Sequence, residues 1–384
     1  MQYDYLIVGA GFSGSILAER IASELNQTVL LVDKRDHIAG NAHDYRDENG
    51  ILVHKYGPHI FHTNSLKVWK YLSQFTEWYP YIHRVKARVD DQLVSLPFNL
   101  YTLYEVFPEN YAARLEALLL KTFGIGQKIP ILKLREISHP ALKGLADYIY
   151  QFVFHGYTQK QWGFSPEHLD PSVTARVPFV IARDDRYFHD RFQGIPRDGY
   201  TEMFRRMLDH PNIHLLLNAD YRDVLEEVRF NRMIYTGPID LFFDYLHGEL
   251  PYRSLRFELE TYSSPYFQEV AQVNFPNHYD FTRITEFKHF LPHQTPVTTI
   301  AREFSQPHLP GVNEPYYPIP MAKHHDIYRK YQEEANKLRG SVIFLGRLAD
   351  YKYYNMDQIA ARALHVFEKQ IGKQKWATEI LLPS

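Results

Sequence analysis

The sequence contains no cysteine among its 384 residues. This absence excludes disulfide bonds, thiolate metal sites, a cysteine nucleophile and a covalent link between a thiol and a cofactor. No serine–histidine motif of a hydrolase stands out either. Any covalent chemistry must therefore rely on another group, such as a bound cofactor.

Two features of exported and membrane proteins are also missing. No run of about 18 apolar residues is present, and the first residues lack the basic-then-apolar layout of a signal peptide. The formal net charge is −2, so no overall field attracts nucleic acid or an anionic membrane. We therefore expect a cytoplasmic protein that binds neither.

The composition that remains is that of a globular protein with many aromatic residues. Apolar residues make up 45% and charged residues 23% of the chain, and its length predicts two or three domains. The 29 tyrosines and 25 phenylalanines are numerous. Packing in the core explains most of them, but such residues also suit planar or sugar-bearing ligands.

The first forty residues carry the strongest local pattern. An apolar run at 5–8 is followed by GAGFSG at 9–14, a helical apolar pattern at 15–25, and a second apolar run that ends in Asp33. This order predicts a strand, a glycine-rich turn, a helix, a strand and an acid, which is the dinucleotide-binding arrangement. The alternative is a glycine turn in an ordinary α/β fold.

Each residue of this pattern has a physical role. We expect Gly9 to permit the tight turn, Gly11 to let the backbone approach a pyrophosphate, and Gly14 to allow close packing of helix on strand. The free N–H groups at the helix start would face the diphosphate. Asp33 would accept hydrogen bonds from the adenosine ribose.

A second pattern of this kind returns near residue 345. Residues 341–345 read as a strand, Gly346 and Arg347 as a turn, and Asn355 as the cap of a helix that begins at Met356. Together with the basic extension after Asp33, this return is typical of flavoproteins and favours FAD over NAD. It also implies a discontinuous cofactor domain.

Two insertions separate the parts of that domain. Residues 100–155 show helical periodicity, residues 166–193 are rich in loop residues, and residues 245–305 alternate apolar and polar positions as antiparallel strands do. The fold class predicted is α/β, with a discontinuous Rossmann-like FAD-binding domain, an inserted helical domain and an inserted antiparallel β-sheet domain. The FAD-binding domain is expected at 1–80, 194–245 and 316–384, the helical domain at 100–165, and the sheet domain, with a mobile substrate loop, at 81–99, 166–193 and 246–315.

Eight blocks in order resemble the prokaryotic UDP-galactopyranose mutase family over nearly the whole chain. They are GAGFSG (9–14), YGPHIFHTN (56–64), GYTQKQWG (156–163), YFHDRFQGIPRDGY (187–200), YTGPID (235–240), TRITE (282–286), EPYYPIP (314–320) and GRLADYKYYNMD (346–357). The resemblance implies an isomerase that interconverts UDP-galactopyranose and UDP-galactofuranose, for cell-surface glycans, with N5 of reduced FAD as the nucleophile. It also implies a cellular reductant such as NAD(P)H and a homodimer.

The resemblance further implies roles for individual residues. The catalytic residues it implies are Arg176, Arg283 and His62, with the two arginines on the leaving diphosphate. Cofactor contacts are expected from Gly9, Gly11, Phe12, Ser13, Gly14, Asp33, Lys34, Gly40, Asn41, His59, Ile60, Gly346, Arg347, Asn355 and Met356. Substrate contacts are expected from Phe154, Tyr157, Thr158, Trp162, Arg176, Tyr187, Arg253, Asn274, Arg283, Tyr317 and Tyr353.

The stretch KYGPHIFHTN at 55–64 places two histidines three residues apart, a spacing that a metal ion could use. Without a nearby acid or cysteine at suitable spacing, we expect no metal site there. The resemblance instead implies that His62 lies against the isoalloxazine near N5 and that His59 faces the sugar. His54 is expected to be structural.

Several positions depart from the family pattern. His83 stands in place of Asn, Phe281 of Tyr, Phe287 of His, Asn355 of an acid and Ala39 of Gly, so the preference for the sugar is open. UDP-N-acetylgalactopyranose is an alternative substrate, a flavin-dependent oxidase or dehydrogenase an alternative activity, and a flavin-binding regulator a non-enzymatic alternative.

Overall fold

A computed structural model describes residues 2–171 and 177–372, and it confirms the α/β class. Its central element is a parallel five-stranded sheet in the order β12-β2-β1-β13-β19. The strands are β1 (Gln2–Val8), β2 (Val29–Val32), β12 (Ile213–Leu216), β13 (Arg229–Tyr235) and β19 (Val342–Phe344). Because β2 and β13 lie on opposite sides of β1, the chain changes direction across the sheet at β1.

A seven-stranded sheet, in the order β18-β14-β17-β16-β15-β7-β8, forms the second layer. Its strands are β7 (Val85–Val89), β8 (Gln92–Leu96), β14 (Tyr252–Tyr262), β15 (Gln272–Asn274), β16 (Arg283–Glu286), β17 (Thr298–Pro307) and β18 (Tyr317–Pro318). All neighbours are antiparallel except β15 and β7. The antiparallel strands predicted between 245 and 305 are therefore confirmed.

Three small sheets contain the other strands of residues 2–171 and 177–372. They comprise β5 (Phe61–Thr63), β11 (Phe192–Pro196) and β6 (Trp78–Pro80); β3 (Asp44–Arg46) and β4 (Leu52–His54); and β9 (Lys128–Ile129) and β10 (Phe179–Val180). The α-helices are α1 (Phe12–Leu25), α2 (Leu66–Leu72), α3 (Leu100–Val106), α4 (Glu109–Phe123), α5 (Ile131–Arg135), α6 (Pro140–Ile149), α7 (Gly156–Trp162), α8 (Tyr200–Leu208), α9 (Tyr221–Leu225), α10 (Ile239–Phe242), α11 (Ala322–Lys337) and α12 (Met356–Val366).

Separate apolar cores support these layers. One core packs α1, α8 and α12 on the parallel sheet, with Ile7, Ile16, Phe204 and Ala363 fully buried. Another joins α3 to α6 in the helical region, as the periodicity predicts. The predicted cap of α12 is also confirmed, because Asn355 forms a capping box with Gln358. Within the described ranges, no helix is long and apolar enough to cross a bilayer.

Candidate active site

A deep cavity of about 1100 Å³ opens at the carboxyl ends of the parallel strands. Val8, Val32 and Tyr235, the last residues of β1, β2 and β13, all line it. Open parallel sheets bind ligands at this edge, where the strand order reverses. The volume slightly exceeds the usual range for small-molecule pockets, which suits a dinucleotide.

Glycines shape the wall where a diphosphate would lie. Gly9 has φ +103°, and a Cβ there would lie 2.1 Å from Thr236 Oγ1. Gly40 has φ +54°, and its Cβ would lie 2.9 Å from the Cα of Gly11. Two backbone segments thus meet without side chains at the start of α1, which has no side-chain cap. The N–H groups of its first turn are left for an anionic ligand.

Charged residues frame the far end of the cavity. Asp33 accepts hydrogen bonds from the N–H groups of Ala10 at 2.7 Å and Arg35 at 2.9 Å, so it ties the glycine turn to the end of β2. Glu314 pairs with Lys34 at 3.0 Å and with Arg35 at 3.2 Å. These two ion pairs hold the loop before β18 beside the cavity.

One wall of the cavity includes His59, which is hydrogen-bonded to the buried His54. His59 lines the cavity, and its Nδ1–H donates to the carbonyl of Gly57 at 2.7 Å. Its backbone N–H donates to Nδ1 of His54 at 3.0 Å. Burial lowers the pKa of His59 to about 4 and that of His54 to about 3, so both rings are neutral at pH 7. The Nε2 atom of His59 is therefore a hydrogen-bond acceptor.

Arg283 lies beside this wall and is held by a buried carboxylate. Its Nε atom donates to Glu303 Oε2 at 2.8 Å and its Nη2 at 2.5 Å, and the Glu303 side chain is only 1% exposed. Burial alone would lower the pKa of Arg283, but Glu303 raises it above its ordinary value. The guanidinium is thus a fixed positive charge.

Aromatic residues surround that charge. Burial raises the pKa values of Tyr157 and Tyr317, which both interact electrostatically with Arg283, so their hydroxyls remain protonated donors. Tyr317 and Tyr353 lie 5.0 Å apart, and Arg347 stacks 5.3 Å from each ring. Since Arg347 also lines the cavity, the two regions adjoin.

The comparisons with known proteins agree with this geometry. Residues 152–353 match the model of the UDP-galactopyranose mutase family, and residues 7–75 match an NAD(P)-binding Rossmann-like domain. A probable UDP-galactopyranose mutase of Klebsiella pneumoniae is 39% identical, over 94% of this chain and 92% of that protein. The chain belongs to the UDP-galactopyranose mutase family.

Two further comparisons concern the substrates named for relatives and the fold of this mutase-family chain. A dTDP-fucopyranose mutase of Escherichia coli is 35% identical, over 96% of this chain and 99% of that protein. A crystal structure of a reduced UDP-galactopyranose mutase covers 97% of this chain and 94% of its own, with a TM-score of 0.71 at 15% identity. Relatives with similar sequence identity to this chain, 39% and 35%, are thus named for different nucleotides and sugars.

Most residues for which the family resemblance implies cofactor contacts line the cavity. The exceptions are Gly14, Ile60 and Asn355. Gly14 lies against the turn, since a Cβ there would be 2.0 Å from the Gly9 carbonyl. Ile60 is buried in an apolar cluster with Ile51 and Phe290, and Asn355 caps α12.

The residues for which the family implies substrate contacts fall into several groups. Arg253 lines the cavity, and its guanidinium donates to the carbonyls of Gln161 and Lys160 at the end of α7. Tyr157, Tyr317 and Tyr353 are the aromatic residues described above near Arg283. Trp162 extends this cluster, with its ring 6.1 Å from that of Tyr317 and 5.8 Å from that of Tyr353. Asn274 is buried opposite Arg283 in the register of β15 and β16, and Thr158 is buried on α7.

Three other predicted residues do not line the cavity. Phe154 packs on the helical core. Tyr187 contacts Phe188 edge-on at 5.0 Å and interacts electrostatically with Tyr157 of the aromatic cluster. His62 stacks on Phe188 at 3.7 Å and donates its Nδ1–H to Asp190 at 2.8 Å. His59 lines the cavity and His62 does not. The predicted place of His62 beside the cofactor ring stays a prediction. Arg176 lies outside the described residues.

Three acids in contact with these residues were missed by sequence reasoning. They are Glu303, Asp190 and Glu314. Asp190 and Glu314 fall within two of the eight blocks, so their place in the blocks was an available signal. Glu303 carries no such signal, because its role depends on the pairing of two strands.

Proposed function

We propose that this chain interconverts UDP-galactopyranose and UDP-galactofuranose with FAD in its reduced state. The observation that carries this proposal is the fixed charge of Arg283, held by Glu303 among neutral tyrosines beside a dinucleotide cavity. A flavin oxidase has no need of a diphosphate-binding arginine at this place. The Klebsiella relative supports the choice of UDP-galactose.

The residues fit FAD. The side-chain-free contact of Gly11 with Gly40 leaves room for a pyrophosphate, Asp33 would hold a ribose hydroxyl, and His59 would lie beside the ring system. When bound and reduced, the flavin supplies the nucleophile for the anomeric carbon. We assign the position next to the ring to His59 rather than to His62.

The chain's own residues bind and orient the nucleotide sugar. Arg283 would stabilise the diphosphate, whose negative charge increases as it leaves the sugar. Tyr157, Tyr317 and Tyr353 would donate hydroxyl hydrogen bonds to the same oxygens. Arg176 would add a second guanidinium. The neutral Nε2 of His59 would accept one hydrogen bond without bringing a competing charge.

Anaerobic incubation with reduced or oxidised FAD tests the proposal. UDP-galactose, UDP-N-acetylgalactosamine and dTDP-fucose are supplied separately, and the products are separated by chromatography. We expect furanose product from UDP-galactose with the reduced enzyme only. Stoichiometric consumption of the electron donor would instead indicate an oxidase or dehydrogenase, and turnover of another sugar alone would reassign the substrate. The cellular reductant, the homodimer and the destination glycan stay predictions.

A further inference from the structure

Lys160, on α7, makes three hydrogen bonds to one loop. Its ammonium donates to the backbone carbonyls of Phe275, of Tyr279 at 3.0 Å and of Phe281 at 3.2 Å. An ammonium group has three N–H donors, so this arrangement uses all of them. The loop that supplies the carbonyls connects β15 to β16.

Two further contacts seat the same loop on the helical segment. A Cβ at Gly156 would lie 2.4 Å from the carbonyl oxygen of Pro276, so the two backbones are in direct contact. The side-chain amide of Asn277 donates to the carbonyl of Phe152 at 2.9 Å. Lys160 is therefore the charged centre of a contact that extends along one face of the loop.

This contact joins two groups of residues at the proposed substrate site. The helix that bears Lys160 also bears Tyr157 and Trp162. The loop begins directly after Asn274 and ends directly before Arg283. Trp162 and Asn274 are buried and Tyr157 and Arg283 are half-buried, so a small change in the seating of the loop alters the distance between the tyrosine and the arginine.

We propose that Lys160 is a positioning residue for nucleotide-sugar binding, whose ammonium fixes the loop between Asn274 and Arg283 against α7. This inference rests on the proposed function, because it assumes that the arginine binds the diphosphate. Lys160 does not itself contact the substrate in this role. It sets the geometry of the residues that do.

The proton on Lys160 is essential to this role. Burial lowers the pKa of its ammonium to about 8, and Asp280 on the loop partly opposes that shift. His278 and Tyr279 line the same small recess, and Arg253 donates to the carbonyl of Lys160. Loss of the proton removes one donor and directs a lone pair at a carbonyl. Nucleotide affinity should therefore fall as the pH rises through about 8.

Lys288 offers a matched control. Its ammonium also donates to three backbone carbonyls, those of Pro265 at 3.0 Å, Thr295 at 2.5 Å and Val297 at 3.1 Å. It is more deeply buried than Lys160, with only 5% of its surface exposed, and it belongs to the turn that follows β16. The carbonyls that it binds belong to other loops than the one held by Lys160.

The test uses the FAD-loaded full chain and UDP alone as the probe. Affinity is measured by calorimetry at several values between pH 7 and pH 9.5 for the wild type, Lys160→Met, Lys160→Arg and Lys288→Met. We expect Lys160→Met to bind UDP about tenfold more weakly at pH 7 and to lose the alkaline decline. Lys160→Arg should retain part of the affinity with no decline, because guanidinium stays charged throughout. Lys288→Met should change UDP affinity less than about twofold while lowering the melting temperature.

Several results of these measurements would overturn the role of Lys160. Wild-type affinity and the wild-type pH profile in Lys160→Met would overturn the inference, and so would an equal loss in Lys288→Met, which would indicate general destabilisation. If Lys160→Met fails to retain FAD, a Lys160→Arg variant with an undiminished alkaline decline would overturn it. If the wild type binds no UDP, the proposed function itself fails, and the inference with it.

Discussion

Arg283 depends on Glu303 for its orientation, and this dependence can be tested with one substitution. Glu303→Gln keeps the size of the side chain but removes the charge that fixes the guanidinium. Charged hydrogen bonds contribute about 1.5–3 kcal/mol, so we expect kcat/KM to fall about 10- to 100-fold. Steady-state kinetics with UDP-galactose measure the change.

The same sheet supplies a control for that substitution. Glu260 on β14 pairs with Arg302 on β17, but its side chain is 38% exposed, against 1% for Glu303. Exposed pairs contribute about 0–1 kcal/mol, so Glu260→Gln should leave kcat/KM nearly unchanged. Wild-type kinetics in Glu303→Gln would show that the carboxylate does not orient the arginine.

For single residues, the sequence identified the side chains expected to bind the ligand better than the side chains that hold them in place. Arg283 and Tyr317 stand in short blocks whose residue types suit a phosphate, and the structure brings them together. Glu303 became visible only in the fold, because it lies directly opposite Arg283 in the register of β16 and β17. Alternation predicts that residues belong to strands, but not which residues face each other.

At the scale of structural elements, the loop before β18 lines one end of the cavity. Asn313 holds its turn by accepting from the N–H of Leu309 at 2.9 Å and by donating to the carbonyl of Pro307 at 3.0 Å. The next residue, Glu314, forms ion pairs with Lys34 and Arg35, which follow β2. The loop therefore lies beside the site of the predicted adenosine ribose.

Glu314→Gln removes both ion pairs without changing the length of the side chain. We expect FAD to leave the variant about threefold faster, because the loop opens more readily once the attraction is lost. Salt should accelerate release from the wild type but not from the variant, since it screens the same pairs. The rise in flavin fluorescence after dilution measures release. Asp326→Asn, which breaks an exposed pair on α11, is the control, and equal rates in all three proteins would contradict the prediction.

The sequence predicted long or capped elements well and short ones poorly. The cap residue Asn355 and the apolar stripe that follows it predicted α12 because both features are local. The turn of π-helix at Tyr150–His155 was missed, since its residues continue the apolar spacing of α6. Strand β18 has two residues, too few to show alternation, and pairing with β14 alone makes it a strand.

At the scale of the whole molecule, buried histidines make stability depend on pH. Burial lowers the pKa values of His54 and His83 to about 3 and that of His59 to about 4. In the unfolded chain each would take up a proton near pH 6.5. The unfolded state therefore binds more protons below pH 6.5, and the free energy of unfolding decreases as the pH falls from 6.5 toward 4.

We expect each buried histidine to contribute roughly 2 kcal/mol to the loss between pH 7 and pH 5. Urea unfolding at the two pH values, followed by circular dichroism, measures it. His83→Gln should reduce the difference, whereas replacing the exposed His365 with Gln should not. An unfolding free energy equal at pH 7 and pH 5 would show that these rings accept protons in the native state.

The order of strands in the parallel sheet also affects biosynthesis. The edge strand β19 pairs with β13, yet the polypeptide between them forms most of the seven-stranded sheet and all of α11. A ribosome must therefore synthesise those parts before the edge strand, Gly346 and Arg347 can emerge. Most strands of the seven-stranded sheet are therefore synthesised before the strand that completes this side of the cofactor cavity. A translation product that stops before residue 342 would therefore carry the glycine turn but lack Gly346, Arg347 and Met356, which line the cavity, and we expect it to retain no flavin.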